Sequence, residues 1–503
     1  MGAHYTVRTS TILGVEALPV DVEVDVSAGL PSFSIVGLPD AAVQEARERV
    51  RAAVKASGFD FPGARVVVNL APGPLRKHGT GFDMPIAAAL LAATSQIPRA
   101  RLEGAALVGE LSLDGTVRAV PGMLAHALQA RAHGVLYGPP EADGAAALEG
   151  LEYRPLRCLR DLRDPVATLP ALSLPAANRG VRGTDDLADV FGQELAKRAL
   201  EIAAAGGHNV LMVGPPGSGK TMLARRLAGI LPPLEADEKL STALVHSVAG
   251  LDDSAALAGV RPFRAPHHSC SIAGLIGGGS PPHPGEVSLA HNGVLFLDEM
   301  PEFGPAALQA LRQPLEDGRV VLVRADGRVR FPARIALVGA ANPCPCGFFG
   351  DPERACSCPP ALIVRYQARI GGPLLDRIDM YVRVERVAPG RILSGIPGEP
   401  SDIVRERVVR AREAALARGS PSNAQLSGTS LFSACRLSAK ARATIESHAH
   451  MHHLSGRGIT RLLRVARSVA DLEASKHVTA EHVDEASGFR METGGVAYVG
   501  NVH

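Results

Sequence analysis

Gly214-Pro215-Pro216-Gly217-Ser218-Gly219-Lys220-Thr221 satisfies G-x-x-x-x-G-K-[ST] at every defined position. The run Asn209-Val210-Leu211-Met212-Val213 precedes it as a buried strand does, and Met222 to Ile230 continues it as a helix. In a strand–loop–helix context the glycines let backbone N–H groups close round phosphates, and the helix N-terminus adds positive potential. Lys220 then meets the β- and γ-phosphates and the Thr221 hydroxyl holds Mg²⁺. The contact shell predicted from this stretch runs from Gly214 through Met222, and its ligand is a nucleoside triphosphate.

Gly293-Val294-Leu295-Phe296-Leu297-Asp298-Glu299 is a short apolar strand ending in two carboxylates. Downstream of a phosphate loop, Asp298 suits the Mg²⁺ shell and Glu299 suits polarising the attacking water. A third strand, Ile335–Ala340, runs into Ala341-Asn342, so a polar side chain at its tip can orient the same water. Gly371-Gly372-Pro373-Leu374-Leu375-Asp376-Arg377-Ile378-Asp379 sets one arginine between two acids after a glycine turn. Arg377 reads either as a solvated ion-pair residue or as an arginine supplied in trans to a neighbour's phosphate. Arg457, Arg461 and Arg464 fall at i, i+4 and i+7 on one helix face, with Ile459, Leu462 and Leu463 toward the other side. That face is either a solvated stripe or one from which Arg457 reaches the nucleotide.

The chain has 503 residues, too many for one core, and its length predicts about three domains. Its 46% hydrophobic and 21% charged content is that of a globular protein. A net charge of only +2 means that any contact with nucleic acid comes from a local patch. With no Trp, 6 Tyr and 13 Phe, base stacking is not expected as a main binding device. No basic segment leads into an apolar core at the N-terminus, so no secretory signal is expected. No run approaches 18 uninterrupted apolar residues, so no membrane span is expected, and the cytoplasm is the expected location.

Residues 1–165 read as a separate α+β unit, with strands at Tyr5–Ile12, Val20–Val26 and Arg65–Leu70. Asp40 is placed to cap a helix running to about Ala56, and a second helix fits Pro85–Thr94. Leu113-Asp114-Gly115-Thr116-Val117 reads as a hairpin turn. Residues 166–184 form the expected linker, and 185–390 alternate strands with helices, which implies a mainly parallel sheet. Residues 391–503 show helical periodicity with few strand signals and read as a helical lid.

Seven cysteines include the pairs Cys344-x-Cys346 and Cys356-x-Cys358, more like a metal site in a reducing compartment than a disulfide framework. Four thiolates complete a tetrahedral zinc shell, and a closed shell of this kind is structural. The alternative is a set of reduced loop cysteines. His267-His268 and His452-His453 lack a cysteine or carboxylate frame and read as polar or packing residues.

These parts together resemble the AAA+ ATPases, and within them the family of magnesium-chelatase-like proteins named YifB or ComM. The likeness spans essentially the whole chain. It is carried by Asp189-Val190-Phe191-Gly192-Gln193, Gly206-Gly207-His208-Asn209, Phe263-Arg264-Ala265-Pro266-His267-His268-Ser269, Pro284-Gly285-Glu286-Val287-Ser288-Leu289-Ala290-His291 and Asn342-Pro343-Cys344-Pro345-Cys346-Gly347. The resemblance implies an α/β fold: an AAA+ P-loop domain with a helical lid, preceded by a Lon-protease-like domain related to ribosomal protein S5 domain 2. It implies that Asn342 is the sensor-1 residue, Arg377 the arginine finger and Arg457 the sensor-2 arginine, with Gly192 and Gln193 near the adenine. A finger acting in trans implies a ring; the family analogy makes it a homohexamer that binds ATP and Mg²⁺.

About 78 residues separate Lys220 from Asp298, and the surplus includes the tip Gly274-Leu275-Ile276-Gly277-Gly278-Gly279-Ser280-Pro281-Pro282. It resembles the helix-2 insertion that lines the pore in one AAA+ clade. Val320–Phe331 reads as a hairpin with an Asp326-Gly327 turn and carries Arg324, Arg328 and Arg330 as candidate DNA contacts. It is similar to the pre-sensor-1 hairpin of DNA-translocating ATPases. Gly37-Leu38-Pro39-Asp40, Val68-Asn69-Leu70-Ala71-Pro72 and Lys77–Ile86 resemble the Lon-like domain, but no serine accompanies Lys77 there, so peptide hydrolysis has no nucleophile. The function implied is a ring-forming ATP hydrolase that moves on branched or single-stranded DNA, a branch-migration helicase acting in homologous recombination and natural transformation. A metal-chelatase motor subunit and a protein-remodelling ATPase are the alternatives.

Overall fold

A computed structural model describes residues 3–146, 148–164, 185–324 and 327–490. The segment expected to be a linker, the final 13 residues and the Asp326 side of the hairpin turn lie outside the described residues.

Ala3–Leu13 and Glu16–Ser27 pair antiparallel in continuous register, from Ala3 opposite Val26 to Leu13 opposite Glu16. Gly14 makes the reversal with φ +70°, a left-handed conformation in which only glycine is free of strain. The hairpin sits inside a seven-stranded sheet. Its spatial order is Ser32–Val36, Arg65–Ala71, Glu16–Ser27, Ala3–Leu13, Ala105–Leu107, Val135–Gly138 and Glu152–Pro155. Alternation puts Val20, Val22, Val24, Val66, Val68 and Leu70 on the face covered by two helices. One is Ala41–Ala56, whose first turn is capped by the Asp40 carboxylate accepting from the Val43 N–H at 2.9 Å. The other, Asp83–Ala93, is buried along its whole length, which its unbroken apolar composition allows. The charge of Asp83 is not left alone there: Arg49 binds both its oxygens at 2.6 and 3.0 Å.

Val210–Val213, Phe263–Arg264, Gly293–Leu297, Ile335–Ala341 and Met380–Arg383 form a second sheet, entirely parallel, in the order second, third, fourth, first, fifth. Val210–Val213 and Gly293–Leu297 are buried at every residue, as continuous apolar runs covered on both faces must be. The register sets Val213 beside Ala341 and Arg383, and Leu297 beside Gly339, so the carboxyl ends are nearly level. In such sheets the crevice beyond the carboxyl ends holds the ligand.

Helices Ser401–Ala417, Gly428–Cys435, Ala439–Met451, Gly456–Leu472 and Ala480–Gly488 complete the described chain. Gly456–Leu472 is their centre and shares one apolar core with the sheet helices Glu194–Gly206 and Lys220–Ile230. The N-terminal unit meets the parallel-sheet unit through Gly122 N–H to Ser247 O at 2.7 Å and through Leu124, packed with Leu234, Ala243 and Ala256. Among the described residues no helix is long and apolar enough to cross a membrane.

His126 is buried in the N-terminal unit with Nδ1 2.6 Å from Ser10 Oγ, and burial pushes its pKa from 6.5 down to about 4. The unfolded chain therefore takes the proton first: stability is full above about pH 6.5 and declines as the pH falls toward 4. Between pH 7 and pH 5 this costs about 2 kcal/mol. His126→Asn should flatten that slope, as read from denaturation midpoints at the two pH values; an unchanged slope would show that other groups set the acid sensitivity.

Candidate nucleotide site

The loop between Val213 and helix Lys220–Ile230 turns on Gly217 and Gly219, with φ +76° and +89°. A side chain on either is strained, and the space over Gly217 is open: an added Cβ would meet nothing within 4 Å. Lys220 is nine-tenths buried and bends back over the loop, its Nζ 2.7 Å from Gly214 O, 3.0 Å from Pro215 O and 3.2 Å from Asn342 Oδ1. Burial lowers its pKa to about 8, opposed by the charges of Asp298 and Glu299. Ser218 Oγ is buried with no hydrogen-bond partner. A cation held by backbone carbonyls above a ring of turned glycines is a cradle for a polyphosphate.

Thr221 Oγ1 donates to Asp298 Oδ2 at 2.7 Å, so the two expected Mg²⁺ ligands are already side by side. Asp298 Oδ1 accepts from the Glu299 N–H at 2.9 Å, and Glu299 takes a left-handed conformation, φ +48°. That strain turns the second carboxylate away from the strand line. His268, which the sequence presents as a polar or packing residue, stands 3.7 Å from the Glu299 carboxylate, a neighbour only the fold reveals. Gly192 and Gln193 are both left-handed, and Gln193 Nε2 donates to Ser218 O at 3.2 Å and to Glu385 O. Met222, in the first turn of the helix, packs against the sheet core.

Arg377 and Arg457 keep different company. The Arg377 guanidinium, half-buried, donates to Pro373 O and pairs with Glu316. Its pKa is lowered by burial and then by Arg312, Arg457 and Arg461. Among the described residues no hydrogen bond or ion pair joins Arg377 or Arg457 to residues 214–222. The arginine stripe is not uniform. Arg457 is exposed, Arg461 is buried and donates to Leu375 O and Ile378 O at 3.3 and 3.1 Å, and Arg464 donates to Leu426 O at 2.7 Å.

Arg319–Arg324 and Gly327–Pro332 pair antiparallel, Arg319 opposite Pro332. Val320, Val329 and Phe331 point into the core while Arg328 and Arg330 are exposed; the side chain of Arg324 lies outside the described residues. Cys344, Cys346, Cys356 and Cys358 bring all four sulfurs within 4.8 Å of one another. In the N-terminal unit Lys77 is fully buried and donates to Pro72 O.

The joint that ties these parts together has a sequence signature but no role in the sequence reading. Asn209 Oδ1 accepts from Leu337 N–H at 2.9 Å, and Nδ2 donates to Arg377 O at 2.8 Å. Its backbone N–H donates to Asp379 Oδ2 at 3.0 Å. His208, fully buried, has Nε2 2.8 Å from Ser468 Oγ on helix Gly456–Leu472. Gly206 is obligatory there, since a Cβ would come within 2.3 Å of both His208 and Ser468.

A five-stranded parallel sheet whose level carboxyl ends carry a G-x-x-x-x-G-K-T loop, an Asp-Glu pair and a polar tip residue is the nucleotide domain of an AAA+ ATPase. The family model for magnesium chelatase, subunit ChlI, matches residues 186–392, and further models of that subunit match 22–137 and, for its C-terminal part, 398–490. YifB of Escherichia coli K12 is 42% identical over 493 residues, 96% of each chain. Competence protein ComM of Haemophilus influenzae is 41% identical over 489 residues, 95% of this chain and 96% of that one. The 38 kDa magnesium-chelatase subunit of Rhodobacter capsulatus is 29% identical over 172 residues, 31% of this chain and 49% of that one. This chain belongs to the YifB/ComM family of magnesium-chelatase-like proteins.

Replacing Asn209 by Ala removes both of its side-chain hydrogen bonds and leaves the Leu337 N–H and the Arg377 carbonyl unanswered, while nothing in the phosphate loop is touched. The expected outcome is an affinity for a fluorescent ATP analogue within about twofold of wild type and a turnover rate about tenfold lower. Equal losses in affinity and turnover would mean that the joint supports the fold as a whole.

Proposed function

We propose that this protein is a ring-forming motor that couples ATP hydrolysis to movement on DNA, migrating branches to extend heteroduplex as a ComM-type helicase in homologous recombination and natural transformation. The observation that carries the reading is the separation of the two halves of the hydrolytic apparatus. Lys220, Thr221, Asp298 and Asn342 converge on one edge of the sheet. Arg377, paired with the surface residue Glu316, stands elsewhere with Arg457 as a cationic neighbour, so one chain holds a cradle without its trigger. A head-to-tail ring, six-fold by family analogy, unites them.

The residues present fit ATP with Mg²⁺. The cradle is open over Gly217, Ser218 Oγ has no partner inside the protein, and Lys220 spans the space between Gly214 and Asn342. Gly214 through Met222 would line the triphosphate, and Gly192 and Gln193 would border the adenine. Mg²⁺ bound by Thr221 and Asp298 would neutralise charge on the β- and γ-phosphate oxygens. Lys220 exchanges its loop carbonyls for phosphate oxygens. Glu299 accepts a proton from the attacking water as its oxygen bonds to the γ-phosphorus and ADP leaves, and Asn342 orients that water. Arg377 of one protomer leaves Glu316 for the neighbour's γ-phosphate. Arg457 lies in the same cationic group, so both approach the same triphosphate. The exposed Arg328 and Arg330 give phosphate contacts on a hairpin that leads directly into the Asn342 strand. Cys344, Cys346, Cys356 and Cys358 hold a structural zinc, and the N-terminal unit binds or organises the ring without cutting peptides.

The match to the chelatase subunit supports a second reading, a motor that acts on a protein partner and is indifferent to DNA. A four-way-junction assay separates the two. Wild type should drive strand exchange with ATP and Lys220→Ala should not; a competent ring without strand exchange would favour the protein-directed motor. Arg328→Ala with Arg330→Ala should abolish most of the DNA stimulation of hydrolysis while nucleotide affinity is unchanged.

Arg377→Ala alone should lower turnover about a thousandfold. Mixed with Lys220→Ala it should regain a substantial part of the rate, because each variant supplies the half the other lacks. No recovery in mixed rings would place the arginine in cis.

A further inference from the structure

The four cysteines close a loop that lies directly on the phosphate cradle, and we propose that zinc bound there braces the cradle, making ATP affinity depend on the metal. This rests on the zinc reading above and adds its purpose. Three sulfur pairs are 3.3, 3.6 and 3.6 Å apart: Cys344–Cys346, Cys344–Cys356 and Cys346–Cys356. A tetrahedral zinc with bonds of about 2.3 Å sets its sulfurs about 3.8 Å apart, so little movement completes the shell. Backbone N–H groups already point at sulfur, Phe349 to Cys344 at 3.3 Å and Cys358 to Cys356 at 3.4 Å.

The loop begins two residues after Asn342, where Gln367, buried, donates to Pro343 O at 2.8 Å. At its near side Gly347, φ +85°, is pressed on the ring of Pro216: a Cβ there would stand 2.5 Å from Pro216 Cδ. Its far side is tied to the end of the fifth strand and the chain just beyond it. Arg383 donates to Gly350 O at 2.7 Å, and Arg386 lies 3.6 and 3.7 Å from Asp351 and Glu353. The guanidiniums of Arg354 and Arg386 lie 4.0 and 5.5 Å from the ring centroid of Phe348. A cavity of about 410 Å³ between loop and cradle is lined by Gly214, Pro215, Gly347, Phe349, Arg383 and Arg386. The loop therefore spans the gap between Pro216 and the sheet edge as a strut, and a metal in the four-sulfur cluster would hold its two Cys-x-Cys arms together. With the arms released, Pro216 loses its backing and the N–H groups of Gly217 to Thr221 lose their preset aim at the phosphates.

The test compares full-length protein as purified, stripped of metal by a chelator, and stripped then reloaded with zinc alone. Zinc per chain is measured by release to a colorimetric chelator, affinity with a fluorescent ATP analogue, and loop order by hydrogen exchange over residues 214–221. The expected result is about one zinc per chain. Stripping should weaken nucleotide affinity about tenfold or more with faster exchange in the loop, and reloading should reverse both. Gly347→Ala, which wedges the contact without removing a ligand, should weaken affinity at full zinc content. Zinc below about half an equivalent would overturn the metal reading itself. A full equivalent of zinc, with affinity unchanged on stripping and in Gly347→Ala, would overturn the brace while leaving the metal in place.

Discussion

Asn209 ties its own strand to a second strand and to the Arg377 loop at once, and the geometry of the site depends on it. A parallel strand leaves its first backbone groups without a ladder partner, and burial makes each orphan costly. Here one amide side chain answers Leu337 on the strand leading to Asn342 and the carbonyl of Arg377 on the opposite side. Asp379 closes the circuit on the Asn209 backbone. The strand that feeds the cradle, the strand that carries the polar tip and the loop that carries the arginine are therefore registered against one another before any nucleotide arrives. His208 extends the joint to helix Gly456–Leu472 through Ser468, so the C-terminal helices follow the same anchor.

Onto that frame the chain places cations in positions that are unfavourable alone. Lys220 is desolvated and held by loop carbonyls, and its pKa is drawn down to about 8. Arg377 is crowded by Arg312, Arg457 and Arg461, with Glu316 in direct compensation. In the proposed ring each would gain a further anion from a triphosphate, Lys220 from its own and Arg377 from the neighbour's.

What the sequence made legible is what local geometry encodes. Gly217 and Gly219 announce their turns, Leu297-Asp298-Glu299 announces a strand end, Asp40 announces a helix start, and four cysteines within 15 residues announce a cluster. Less legible was everything made by approach in space. Glu316 meets Arg377 only because a helix and a loop from different parts of the sheet converge, and His268 meets Glu299 only because Glu299 turns left-handed. A helical stripe of three arginines predicts one common environment, yet neighbouring carbonyls bury Arg461 and leave Arg457 free in solvent. Short strands such as Val135–Gly138 and Glu152–Pro155 carry too little alternation to be read without their partners.

Ile335–Ala341 is where these parts meet in series. Its amino end continues from the arginine hairpin through Pro332 and Ala333, its middle is gripped by Asn209, and its carboxyl end passes into Asn342 and then the four-cysteine loop. A strand hydrogen-bonded on both sides in a buried sheet neither stretches nor bends by much, so a displacement at one end is delivered at the other. Asn342 is 3.2 Å from Lys220, and in the proposed mechanism it would sit beside the γ-phosphate. Arg328 and Arg330 lie one short turn upstream on the solvent side. In the proposed motor, Asn342 and the arginine hairpin share one inextensible strand, so force on the hairpin and the state of the phosphate would become one coordinate.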